Sequence, residues 1–224
     1  MQVQSKACCS RPPVTLSGGY DYAVKGEYVD FNGMKTCKFP VIPLGRLPTD
    51  EIDVTGKSNV KRGIFLFYDV FGLYIQALKG ADILAMDYEQ YPDGAGDFKV
   101  FMPDWWGDNP QDLKLFPPKT PEEIKKINAF FVTGPANPEK AKPHVKPLLQ
   151  AIQAKHPEIT EWAVMGFCWG GKMTAMFSQP DTIFKAAAQC HPSLLDPNDI
   201  TEIKIPMVVL PSMDEDAKVS SLPF

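Results

Sequence analysis

A chain of 224 residues with 44% hydrophobic and 22% charged residues has an ordinary globular composition, which excludes disorder throughout. At this length one sizeable core is sustainable. The 23 basic and 27 acidic residues form no basic stripe, so nucleic-acid binding is not the expected role.

Residues 1–20 read as an irregular arm, broken by Arg11-Pro12-Pro13 and Ser17-Gly18-Gly19 and without the apolar core of a secretory leader. Residues 21–224 read as a single domain. Glu27 to Phe31 and Met34 to Phe39 flank Asn32-Gly33, a strong hairpin signal. After a Pro-rich stretch, Gly63-Ile64-Phe65-Leu66-Phe67-Tyr68 is the continuous apolar run of a strand buried on both faces. Leu73 to Met86 carries apolar residues at helical spacing, and Phe98 to Met102 predicts a second buried strand. Thr120-Pro121-Glu122-Glu123 opens a helix with a capping hydroxyl, an early proline and acids against the dipole. Glu139 to Lys155 predicts another helix, whose start Pro143 and Pro147 constrain. Trp162 to Met165 is a third short strand, with a helix from Gly170 to Ser178 behind it. Ala186 to Ala188 and Met207 to Leu210 supply two more strands. Alternating strands and helices predict a mostly parallel α/β sheet with helices on both faces, opened by an antiparallel hairpin. No apolar run approaches the roughly 18 residues of a membrane span. Cys8, Cys9, Cys37, Cys168 and Cys190 show no disulfide framework spacing, which fits reduced thiols in the cytoplasm. No metal or cofactor ligand cluster is evident, and none is expected.

The chemistry concentrates at Gly166-Phe167-Cys168-Trp169-Gly170-Gly171, read as strand, sharp turn, helix. This is the pattern of a nucleophile elbow with cysteine in place of serine. The strained turn crowds the residues two positions either side of the nucleophile, so they must lack a Cβ. It also aims the thiol at a helix N-terminus, whose dipole favours thiolate. The bland alternative is a buried structural cysteine beside a packing glycine. In a parallel sheet, sites form at the carboxyl ends of strands, so Asp69-Val70-Phe71-Gly72 should lie beside the elbow. The backbone N–H groups of Val70 and Trp169 then form a candidate oxyanion hole. Asp69 stands either near the thiol or as the N-cap of the helix from Leu73. Trp105, Trp106 and Trp169 wall an apolar pocket or fill the core.

Tyr68-Asp69-Val70-Phe71-Gly72, Met102-Pro103-Asp104 and the Cys168 elbow together resemble the dienelactone hydrolases (carboxymethylenebutenolidase-like proteins), from about residue 21 onward. The resemblance implies an α/β-hydrolase fold, a Cys–His–Asp triad and Cys168 as nucleophile. It places Asp69 where the family usually has a Glu in contact with the resting thiol. Dienelactone-specific members carry an arginine after the Pro-Asp; Trp105-Trp106-Gly107 follow here, which argues against dienelactone itself as substrate.

In such a fold the triad acid follows the strand Met207 to Leu210, where Asp214 and Asp216 are equal candidates, and the histidine comes later still. None follows Asp216. His144 and His156 read as surface residues, while His191, after the strand of Ala186 to Gln189, is a pocket-wall residue or a substitute base. The expectation is therefore a C-terminally shortened domain, lacking the last strand, the histidine loop and the closing helix. Functionally this reads as a cysteine hydrolase of small-molecule esters or lactones, impaired by the absent base. The alternatives are a non-catalytic relative that binds acyl ligands or a protein partner and, more weakly, a thiol redox protein using Cys168 and Cys190.

Overall fold

The computed structural model describes residues 25–39, 42–43, 60–87, 97–194 and 196–212. Strand β1 (Glu27–Phe31) turns into β2 (Met34–Phe39). Asn32 and Gly33 sit at φ 53° and 77°, the paired left-handed conformations that match the twist of a two-residue hairpin. The Gly33 N–H donates to Asp30 Oδ1 at 3.0 Å. Strand β3 (Ile42–Pro43) leads on to β4 (Arg62–Phe67), helix α1 (Ile75–Leu84), β5 (Met86–Asp87) and β6 (Lys99–Pro103). Then come α2 (Pro121–Val132), α3 (Pro138–Lys155), β7 (Glu161–Phe167), α4 (Trp169–Met176), β8 (Phe184–Cys190), α5 (Pro197–Thr201) and β9 (Met207–Leu210).

Seven strands form one sheet in the order β1-β2-β6-β4-β7-β8-β9, while β3 and β5 pair separately. The hairpin joins antiparallel through β2 and β6; β6, β4, β7, β8 and β9 run parallel. Phe65, Leu66 and Phe67 at the sheet centre are fully buried, which explains the unbroken apolar run of β4. At the edge of the described sheet, β9 leaves Val208 and Leu210 more than half exposed.

Three expectations need correction. The helix after β4 starts at Ile75, not Leu73; its N-cap is Tyr74, so Asp69 does not cap it. Helix α3 begins at Pro138, capped by Asn137, and carries Pro143 and Pro147 inside it. These prolines are four residues apart on its exposed face, so the carbonyls they leave without helical donors can turn to water. His156 is not a surface residue. Its ring lies 5.1 Å from that of Phe101 and 6.1 Å from that of Phe31, and its Nδ1 is 2.9 Å from Glu158 Oε1. Lys99 Nζ donates to the same oxygen at 2.9 Å. α2, by contrast, opens as read: Thr120 and Glu123 form a reciprocal capping box.

The cluster at His156 makes folding sensitive to acid. Burial lowers the imidazole pKa below its ordinary value of 6.5, against the Glu158 hydrogen bond that raises it. Burial pushes the Glu158 carboxyl up, but its hydrogen bonds to Lys99 and His156 outweigh this and bring it to about 2. Both groups have depressed folded pKa values, so the unfolded chain binds more protons. The His156 contribution is complete above pH 6.5 and fades as pH falls through that value; the Glu158 contribution fades below 4.5. Thermal melts at pH 7 and pH 5 should show a larger Tm loss for the wild type than for His156→Gln. Equal losses would remove His156 from this account.

Candidate active site

Gly166, the second-last residue of β7, is in register with Phe67 of β4 on one side and Gln189 of β8 on the other. Cys168 then adopts φ 53°, ψ −111°, and α4 begins at the next residue. A left-handed backbone at a residue with a side chain costs of order 1–3 kcal/mol, so the surroundings must impose it. They do so through hydrogen bonds to the neighbouring strand end. The Cys168 N–H donates to the Cys190 carbonyl at 3.1 Å, and the Cys168 carbonyl accepts from Gly171 and Ser193 N–H, both at 2.9 Å. Gln189 Nε2 secures the Gly171 carbonyl at 2.8 Å.

The glycines are there for space. A Cβ on Gly166 would lie 2.0 Å from the Gly170 carbonyl oxygen, and one on Gly170 would lie 2.3 Å from that of Phe67. One on Gly171 would strike Pro192 Cβ at 2.6 Å. Helix α4 is thus seated directly on the ends of β4 and β7, with the segment after β8 against its first turn.

The turn does not open Cys168 to solvent: the residue is 1% exposed. Cys190, whose distance from Cys168 was not legible in the sequence, is its backbone hydrogen-bond partner, and burial pushes the Cys190 thiol up. Neither cysteine is in a disulfide.

Beyond β4, Asp69 accepts the Phe71 N–H at 2.8 Å and so shapes its own loop. Burial raises its carboxyl to about 6, against the lowering effect of that hydrogen bond. The Asp69 carbonyl accepts from Trp106 Nε1 at 3.0 Å, and the Val70 carbonyl accepts from Gln111 N–H at 2.9 Å. Tyr68, fully buried, donates to Asp104 Oδ1 at 2.9 Å and accepts the Trp106 N–H at 2.8 Å. Gly107 N–H reaches the same Asp104 oxygen at 3.1 Å. Sequence reasoning quoted Tyr68 and Asp104 as motif residues but assigned them no task; their polar groups on a buried strand end were the available signal.

Among the three tryptophans, Trp169 and Trp106 are buried and contact each other edge to face at 4.6 Å. Trp169 Nε1 donates to the Ala136 carbonyl at 2.8 Å. Trp105 is half-buried, stacked on Phe67 at 5.5 Å, and its Nε1 is buried with no hydrogen-bond partner among the described residues. His191 follows β8 at φ 38°, its N–H on the Leu210 carbonyl at 2.8 Å and its ring 6.4 Å from Phe167. Asp214 and Asp216, the acid candidates, lie outside the described residues, as do Cys8 and Cys9. No three of the described His, Cys, Asp and Glu residues gather into a metal-binding group. No helix among the described residues is long and apolar enough to cross a membrane.

Residues 54–220 match the profile of the dienelactone hydrolase family. The chain belongs to that family. It is 32% identical over 215 residues to an uncharacterized AIM2 family protein of Schizosaccharomyces pombe, covering 95% of this chain and 75% of that protein. Among solved structures, m3DLH superposes with a TM-score of 0.53 at 16% identity, covering 87% of this chain and 72% of that one. A dienelactone hydrolase-like promiscuous phosphotriesterase from metagenomic libraries gives 0.50 at 19% identity, covering 85% and 69%. These likenesses establish the α/β-hydrolase fold of the dienelactone hydrolase family, within which the Cys168 turn occupies the junction of a central strand and the helix behind it.

Two outcomes follow from this geometry. Gly166→Ala should cost at least the ~1–3 kcal/mol of an overpacked core, because its Cβ meets backbone that cannot step aside. Gly80→Ala, at a helical position with nothing within 4 Å, should stabilise by about 0.4–1 kcal/mol. Denaturant melts showing the same sign for both would contradict the steric account. Asp69, with its folded pKa raised from 3.8 to about 6, loses stability as pH rises through that window. Asp69→Asn keeps an acceptor for Phe71 without the buried charge, so it should be more stable than the wild type at pH 8. That advantage should be gone at pH 4, and a constant difference between the two pH values would refute the buried-charge explanation.

Proposed function

We propose that this chain is a cysteine-dependent hydrolase of small carboxylic esters or lactones, with Cys168 as nucleophile. The observation that carries this reading is the imposed left-handed backbone at Cys168, held at the head of a helix by bonds to the end of β8 and the segment after it. A merely structural cysteine gains nothing from that strain, whereas a nucleophile gains fixed aim.

The thiolate attacks the acyl carbon, forming a C–S bond while the carbonyl oxygen becomes an oxyanion. The N–H groups of Val70 and Trp169, three residues past Phe67 and Gly166 at the same sheet end, donate to that oxyanion. Collapse expels the alcohol oxygen, which takes a proton, and water later cleaves the acyl-thiol. Asp69 supports the Val70 loop. Ser193 Oγ and Trp105 Nε1, both buried without a partner among the described residues, are polar groups left for substrate oxygens. Asp214 or Asp216 is the acid of the triad. His191, after β8 at the same sheet end, is a pocket-wall residue or a substitute base; as a pocket-wall residue it leaves deacylation slow.

The test is intact mass spectrometry after mixing with an activated ester. One acyl group per chain should appear on Cys168, released with a single burst of alcohol, and Cys168→Ala should abolish it. Acylation at the other cysteines alone would sink the proposal. Sustained turnover that disappears in His191→Ala would instead make His191 the working base.

A further inference from the structure

The loop after β4 is held by more contacts than its own turn requires. The Asp69 carbonyl receives the Trp106 indole N–H at 3.0 Å and, more distantly, the Gly72 N–H at 3.4 Å. Trp106 is itself pinned: its main-chain N–H is on the Tyr68 hydroxyl, and its ring meets Tyr68, Phe130 and Trp169 at 5.7, 5.1 and 4.6 Å. Gly72 lies at φ +75°, where a Cβ would stand 3.3 Å from Trp106 Cδ1, so the indole is seated against the loop without slack. On the far side of the same loop, the Val70 carbonyl is tied to Gln111.

The carbonyl of Asp69 and the N–H of Val70 are two ends of one peptide unit. That unit is rigid, planar and trans, so its C=O and N–H point in opposite directions. A donor fixed on the carbonyl therefore sets the direction of the N–H. It also polarises the peptide, which strengthens the N–H as a donor. We infer that Trp106 is a positioning residue: its indole N–H, by gripping the Asp69 carbonyl, aims and strengthens the Val70 N–H for the oxyanion formed on Cys168. This rests on the ester-hydrolase reading above and adds to it a residue that acts through the Asp69–Val70 peptide.

Two reagents for the same thiol separate this role from a structural one. An activated ester reacts through an oxyanion, whereas iodoacetamide alkylates the thiolate by displacement at carbon and develops none. Trp106→Phe keeps a ring in place but removes the N–H. Its Cys168 acylation should slow by about tenfold or more, a fraction of the ~10²–10³ lost with a whole oxyanion donor. Its alkylation rate should stay within error of the wild type. Trp162→Phe, which removes a buried indole N–H without a partner among the described residues at the other end of the sheet, should change neither rate. Equal slowing with both reagents in Trp106→Phe, or no slowing with either, overturns the inference.

If Trp106→Phe does not fold, benzothienylalanine at position 106 replaces only the N–H with sulfur and retains the ring system. In that protein the Val70 amide proton should shift upfield in ¹H–¹⁵N spectra, and an unmoved resonance overturns the inference without reference to activity. A wild type that is alkylated at Cys168 but never acylated would overturn the hydrolase reading instead, leaving the Val70 resonance to decide whether Trp106 governs that peptide.

Discussion

The approach of Gly166 to Gly170 is the constraint on which the rest of the site depends. Only hydrogen atoms fit between the end of β7 and the first turn of α4, and that closeness lets the chain reverse direction in a single residue. Cys168 absorbs the reversal as a left-handed backbone. The strain is offset by hydrogen bonds that span three elements, since β8 accepts from Cys168 and the segment after β8 donates back to it. Cys168 is thus fixed by the parallel sheet itself, with Gly170 against β4 and Gly171 against Pro192.

A second layer builds outward from β4. Tyr68 ends the buried strand with a hydroxyl that would be costly to leave unpaired, and Asp104 and the Trp106 amide satisfy it. Burial pushes its phenol pKa far up, so it remains a donor to Asp104. The loop carrying Trp105 and Trp106 is thereby locked over the loop carrying Asp69 and Val70. In such a water-poor setting fixed N–H dipoles act more strongly than they would in solvent. The same setting raises Asp69, a cost in stability retained beside the candidate chemistry.

Membership of the dienelactone hydrolase family accounts for the fold, while Asp69 and Trp106 are local departures from the pattern of that resemblance. Asp69 directs one carboxylate oxygen to its own loop. Trp106, in the stretch where an arginine would bind a substrate carboxylate, is instead a buried clamp.

Local pattern determined a good deal. The Asn32-Gly33 hairpin, the Thr120 capping box, the buried run of β4 and the glycine spacing around Cys168 each report a short-range requirement of the backbone. Such requirements are written within a few consecutive residues. The same local logic let Pro143 and Pro147 constrain the start of α3, whereas the helix carries both prolines on its exposed face. It placed His156 on the surface, because only packing brings Phe31 and Phe101 against its ring from two distant segments. It counted the tryptophans as pocket wall or core without choosing between them. Which carbonyl Trp106 grips, how Cys190 meets Cys168, and how deeply that thiol is buried depend on strand order and register. Those are set by the whole sheet closing at once, so tertiary structure alone decided them.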